Sequence, residues 1–193
     1  MQETREALLE AGEELFAREG LDGPSLDAIC ERAKKTRGAF YVHFQDRDAF
    51  LAAVMERVGM PFLDAVLGPR GEALSLEEAA RRFVEAFAKG SYPLTKGGAL
   101  RPSQLIDACA RSSPVRDRYA GLIEDAIVRL GAAIEQAQGE GRARGDVDAR
   151  DTATLLLAAI LGAQTMLVDL KLPLAFGDAA RAALTLLAAP RRG

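Results

Sequence analysis

Ser25-Leu-Asp-Ala-Ile-Cys-Glu-Arg-Ala33-Lys-Lys-Thr-Arg-Gly38-Ala-Phe-Tyr41-Val-His43-Phe44 is the stretch that decides how this chain is read. It predicts two short helices separated by a three- or four-residue turn, a helix-turn-helix unit whose second helix enters the major groove of DNA. Ile29 and Ala33 give the first helix a small packing surface. Thr36 opens the second helix, where its hydroxyl can cap and its backbone N–H can face a phosphate. Gly38 lets a duplex backbone come close. From Cys30 to Arg47 the cations Arg32, Lys34, Lys35, Arg37 and Arg47 outnumber the anions Glu31 and Asp46, giving a local charge of +3 in a chain that is −3 overall. A few such cations can dominate affinity for nucleic acid through counterion release.

Working outward, helical signals continue in both directions. Upstream, Leu8, Ala11, Leu15 and Phe16 recur at helical spacing from about Thr4 to Arg18, and Gly20 closes that helix. Gly23-Pro24-Ser25 marks a turn with Ser25 as N-cap, and Leu26, Ile29, Cys30 and Ala33 face inward. Downstream, Asp46 caps a helix carrying Phe50, Leu51, Val54, Met55 and Val58, which Gly59-Met60-Pro61 is expected to bend or end. Further helices are predicted at about Leu76–Lys89 (Ser75 capping, Glu78 completing the box), Pro102–Arg111, Pro114–Gly139, Ala149–Asp169 and Phe176–Ala189. Gly90 to Gly98 reads as a loose connection and Pro190-Arg-Arg-Gly193 as a frayed tail. Sustained β alternation is missing. The fold class is all-α: an N-terminal three-helix helix-turn-helix domain, 1–46, followed by a larger helical ligand-binding and dimerisation domain, 47–193.

Composition narrows the function. The chain has 193 residues, 49% hydrophobic and 27% charged, which suits a folded globular protein. The slightly acidic balance excludes coating of nucleic acid by bulk positive charge and leaves a local patch as the route. Cys30 and Cys109 cannot build a disulfide framework. The N-terminus lacks the basic start and apolar run of a signal peptide. The apolar stretch Ala153 to Val168 is interrupted by Thr154, Gln164 and Thr165 and falls short of about 20 residues, so no membrane span is expected and the localisation is cytoplasmic. His43 is the only histidine, which rules out a multi-histidine metal site. There is no P-loop, dinucleotide fingerprint or nucleophile elbow, and Cys109 has no histidine nearby. No enzyme, cofactor or metal is expected.

The segment from Ala11 to Leu51 resembles the DNA-binding domain of the TetR (tetracycline-repressor-like) family. The resemblance rests on Ala11, Leu15-Phe16, Gly20, Ile29, Ala33, Thr36, Gly38, Tyr41, His43-Phe44, Arg47 and Ala49-Phe50. Two departures stand out. Lys34 and Lys35 occupy the turn where the family usually has Gly and an apolar residue, implying a turn of altered shape with added charge, and Cys30 replaces the usual Ala as a small core residue. The resemblance implies that Thr36, Tyr41, His43 and Arg47 hold the phosphate backbone. Arg37, Ala39 and Phe40 lie where base edges are read, with Arg37 best suited through bidentate contact with guanine. Lys34 and Lys35 add non-specific attraction, and Phe16 and Phe44 are core.

The same resemblance places a ligand pocket and a homodimer in the rest of the chain. Pocket candidates are Phe83, Phe87, Leu105, Cys109, Tyr119, Ile123 and Met166. Dimer-interface candidates on the two long helices are Leu122, Leu130, Leu156, Ile160, Gly162, Ala163 and Leu167. The implied partners are a palindromic double-stranded operator, a second copy of the chain and an unidentified small-molecule effector. The implied function is a repressor released from DNA by that molecule. Two alternatives stay open: a helical small-molecule binding protein that does not read an operator, and a redox switch at Cys109. Some members of the family carry Gly-Cys-Leu where this chain has Gly98-Ala99-Leu100, which removes that thiol.

Overall fold

The computed structural model describes residues 1–72, 74–89, 101–173 and 175–189, without the side chains of 87 and 176. Within them the helices are α1 (Gln2–Glu19), α2 (Leu26–Arg32), α3 (Arg37–His43), α4 (Arg47–Leu67), α5 (Leu76–Ala88), α6 (Pro102–Arg111), α7 (Ser113–Gly139), α8 (Ala149–Val168) and α9 (Phe176–Leu187). One isolated bridge, Ala143 with Ala188, is the sole β feature among the described residues. The all-α class is therefore observed. The connection Gly90 to Gly98, the Gly98-Ala99-Leu100 run and the tail at 190–193 lie outside the described residues.

By packing, the chain divides into residues 1–61 with 90–122, and residues 62–89 with 123–193. These limits differ from a sequence boundary at 46, because α4 supplies core residues to the helices before it. Phe50 and Val54 of α4 are fully buried beside Leu8, Phe16, Ile29 and Phe40, and Ala108 and Val115 belong to the same cluster. Four phenylalanines form its centre, with ring centroids 5.2 Å apart for Phe40–Phe50, 5.3 Å for Phe40–Phe44, 4.9 Å for Phe44–Phe50 and 6.0 Å for Phe16–Phe50. Such tilted and edge-on pairs add to the burial of the rings themselves. α1 approaches α4 at Gly12, where a Cβ would stand 2.5 Å from Phe50 Cζ.

α4 continues through Pro61 to Leu67, where the sequence suggests a bend or an end. Pro61 is exposed, so its ring meets no packed neighbour there. Asp46 caps the helix as expected, its Oδ1 accepting the Ala49 N–H at 2.7 Å.

The second unit is built on Leu76, Ile127, Leu130, Ile134, Ala149, Ala153 and Leu187. Ser75 caps α5 by accepting the Glu78 N–H at 3.2 Å, and Asp148 caps α8 by accepting that of Asp151 at 2.8 Å. Arg129 of α7 has a side chain only 6% exposed. It donates through Nη1 to Asp64 at 2.5 Å and to the Gly68 carbonyl at 2.7 Å, and its Nη2 lies 2.7 Å from Asp125. A buried guanidinium is tolerated only when paired in this way. α8 is apolar on most sides, with a mean hydropathy of 1.5; its length and composition alone are those of a membrane-crossing helix, and equally those of a core helix in a soluble protein.

Candidate nucleic-acid interface

The turn between α2 and α3 is fixed by backbone hydrogen bonds. Ser25 Oγ accepts the Ala28 N–H at 3.1 Å and starts α2. At its end, the Lys34 N–H donates to Glu31 O at 3.0 Å and the Lys35 N–H to Cys30 O at 2.9 Å. That pair of bonds is a Schellman closure, which places its C′ residue in the left-handed region. Lys34 holds that position with φ 54°, a conformation glycine adopts freely and a side chain adopts at a cost. The sequence departure at Lys34 is thus accommodated by strain within a standard helix ending. Thr36 Oγ1 accepts the Ala39 N–H at 3.1 Å and opens α3.

α3 has two faces. Phe40 is fully buried and Phe44 nearly so, one turn apart, and they anchor the helix to the aromatic core. Phe40 is therefore core and cannot reach a base edge; its expected reading role is corrected on that ground. Ala39 and His43 are half-buried. The outward face carries Arg37, Gly38, Tyr41 and Val42, and Val42 is 65% exposed. Val42 is the residue that sequence reading missed. The aromatic pair at i, i+4 fixes the inner face and so assigns Val42 to the outer one. At Gly38, an added Cβ would meet nothing nearer than Thr36 Oγ1 at 3.7 Å. The fold itself thus does not require glycine there.

The cations separate by their partners. Arg32 pairs with Glu14. Arg47 is half-buried, donates to the carbonyls of Leu21 at 2.5 Å and Pro24 at 3.2 Å, and lies 5.6 Å from the Phe16 ring centroid. It pins the loop before α2, a role the sequence did not reveal. Arg37 donates to both carboxylate oxygens of Asp27, at 2.5 and 2.7 Å, and this pairing raises its already high pKa. Among the described residues, Lys34 and Lys35 have no ion-pair partner. The exposed positive charge is therefore concentrated at the turn and at the start of α3.

The remaining candidates do not gather into one described site. Leu105, Cys109 and Tyr119 pack against the core of the first unit. Phe83 stacks edge-on with Phe62 at 6.4 Å and Ile123 packs on the second core, while Met166 is exposed; the Phe87 side chain lies outside the described residues. Burial pushes the Cys109 thiol above its ordinary pKa, against the opposing charge of Arg116, and burial does the same for Cys30. Burial thus disfavours the thiolate, the nucleophilic form, at both positions. Of the dimer candidates, Leu130 is buried within its own chain as an internal packing residue, and Leu122, half-buried, lies against Gly59. Leu156, Ile160, Gly162, Ala163 and Leu167 are half-buried. Exposed apolar groups that the sequence did not single out are Leu155 and Val168 on α8, Leu170 and Leu172 after it, and Leu186 on α9; the pocket candidate Met166 is exposed beside them on α8.

Comparison with known proteins bears on both regions. Residues 8–54 match the model for bacterial regulatory proteins of the tetR family, and residues 78–183 match that for the tetracyclin repressor-like C-terminal domain. The HTH-type transcriptional repressor BepR of Brucella suis is 27% identical over 165 residues, covering 83% of this chain and 78% of that protein. The repressor NemR of Escherichia coli is 38% identical over 55 residues, 28% of each chain. The crystal structure of reduced E. coli NemR has a TM-score of 0.78 at 22% identity, covering 98% of this chain and 99% of that one. SmeT, the repressor of a Stenotrophomonas maltophilia multidrug efflux pump, has a TM-score of 0.69 at 25% identity, covering 94% and 88%.

Proposed function

Since the chain belongs to the tetR family of bacterial regulatory proteins, and is a DNA-binding transcriptional regulator by that membership, we propose that it is a ligand-responsive repressor acting as a homodimer. Each α3 reads one half-site of a palindromic operator, since one helix-turn-helix spans only a half-site and a two-fold dimer matches two. The observation that carries this is the outer face of α3. It is basic at its start, it exposes Tyr41 and Val42, and it has glycine at position 38 although the fold leaves room for a side chain. Lys34, Lys35, Thr36, Tyr41 and His43 hold phosphates; Arg37 and Val42 face base edges, Val42 suiting a thymine methyl group.

The exposed apolar groups of α8 and α9 support a second copy as their cover. An effector bound in the C-terminal domain releases the operator by favouring a conformation whose two recognition helices no longer match half-sites. It can do so only through its differential affinity for the two states.

The test is selection from random duplex DNA at two salt concentrations. A palindromic consensus whose affinity falls steeply with salt is expected. No enrichment at either salt would reject operator reading.

A further inference from the structure

Asp27 is the first residue of α2 with a carboxylate, and it lies ten positions before Arg37 across the turn. Its two oxygens face one edge of the Arg37 guanidinium, with Nε to Oδ1 at 2.5 Å and Nη2 to Oδ2 at 2.7 Å. Both side chains are well exposed, 58% for Arg37 and 69% for Asp27. An ion pair this exposed adds little to folding stability. A guanidinium has five N–H bonds, and this pairing takes one on Nε and one on Nη2. The two on Nη1 and the second on Nη2 remain, and the far edge they form presents two parallel donors. That is the edge that fits the O6 and N7 acceptors of guanine.

We propose that Asp27 is a specificity-determining positioning residue, which holds Arg37 edge-on so that its free edge meets a guanine in each half-site. This rests on the operator reading proposed above. A long, flexible arginine loses rotamer freedom when it binds; an arginine already held by a carboxylate loses less, and its aim is fixed. The carboxylate also sets a penalty. Beside phosphates a bare Asp27 is repulsive, so the arrangement favours DNA only while Arg37 stays paired and usefully placed.

Two consequences follow with opposite signs. Removing the charge in Asp27→Asn takes one negative charge from the DNA-facing surface, so affinity for random-sequence duplex stays level or rises about twofold. Discrimination at one symmetric base position falls, from roughly 10- to 100-fold in the unaltered protein to within about threefold. A carboxylate serving only the first turn of α2 would instead change stability and lower affinity for all sequences alike.

The experiment selects operators with the unaltered protein, Asp27→Asn, Arg37→Ala and the double variant, then measures binding to the consensus, to its single-base changes and to random duplex. The expected result is loss of guanine preference at one shared position in all three variants, the double variant being no worse there than Arg37→Ala. Asp27→Glu is expected to recover part of it. If the unaltered protein selects a palindrome and Asp27→Asn keeps every preference, the positioning role is overturned while operator reading stands. Uniform weakening on all sequences overturns it equally. If the unaltered protein selects nothing at either salt, operator reading itself falls.

Discussion

Phe16, Phe40 and Phe50 are wholly buried, whereas Leu155 on α8 is 70% exposed and Leu186 on α9 74% exposed. The first region completes its core within one chain. The second presents apolar surface that, in water, calls for a further partner. The difference locates two kinds of constraint: the helix-turn-helix is held by its own packing and hydrogen bonds, and α8 by its buried side together with whatever covers the exposed one.

The contrast is broken most severely at Gly12. Gly12→Val places carbon where Phe50 Cζ already stands within 2.5 Å, and the surrounding rings leave Phe50 nowhere to move. A loss of about 3 kcal/mol is expected, at the upper end for overpacking, read as a lowered midpoint in urea. Next is Leu155→Glu with Met166→Glu. Helical circular dichroism should hold, the protein should sediment as a monomer, and affinity for a full palindrome should fall about 100-fold, equivalent to about 2.7 kcal/mol. If the doubly substituted protein remains dimeric, the cover of α8 lies elsewhere.

Gly38→Ala sharpens the comparison, because it separates folding from function at one atom. The site is open in the free protein, so a gain of about 0.5–1 kcal/mol in stability is expected from the better helix former. DNA affinity should drop about tenfold, as measured by fluorescence anisotropy, equivalent to about 1.4 kcal/mol. The smallest effect is at Lys34. Lys34→Gly relieves the left-handed strain and is expected to add about 1 kcal/mol of stability. It should also lower the salt slope of DNA binding by about 1 as a phosphate contact disappears.

Much of the fold is legible in the sequence alone. Ser25, Thr36, Asp46 and Ser75 each accept the backbone hydrogen bond expected of a cap, because capping is local chemistry. The basic character of the turn was equally plain. What stayed hidden depends on distant partners. Arg37 and Arg47 look alike in sequence, yet one is held by Asp27 at the surface and the other by the carbonyls of Leu21 and Pro24. The resemblance puts Phe40 on the reading face, and the aromatic cluster that turns it inward involves α4, a distant stretch of the chain. The exposed face of α8 is hidden for another reason: a helix with apolar residues on most of its sides gives periodicity little to point with.

The exposed stripe of α8 also bears on how steeply a cell would feel this protein. When a surface is completed only by another copy, the dimer population rises with the square of monomer concentration wherever monomers predominate. Doubling expression would then quadruple the species able to span a palindrome. On the proposed dimer, Leu155, Met166 and Val168, left bare on that helix, would set a threshold in gene dosage, below which operators stay open and above which they fill abruptly.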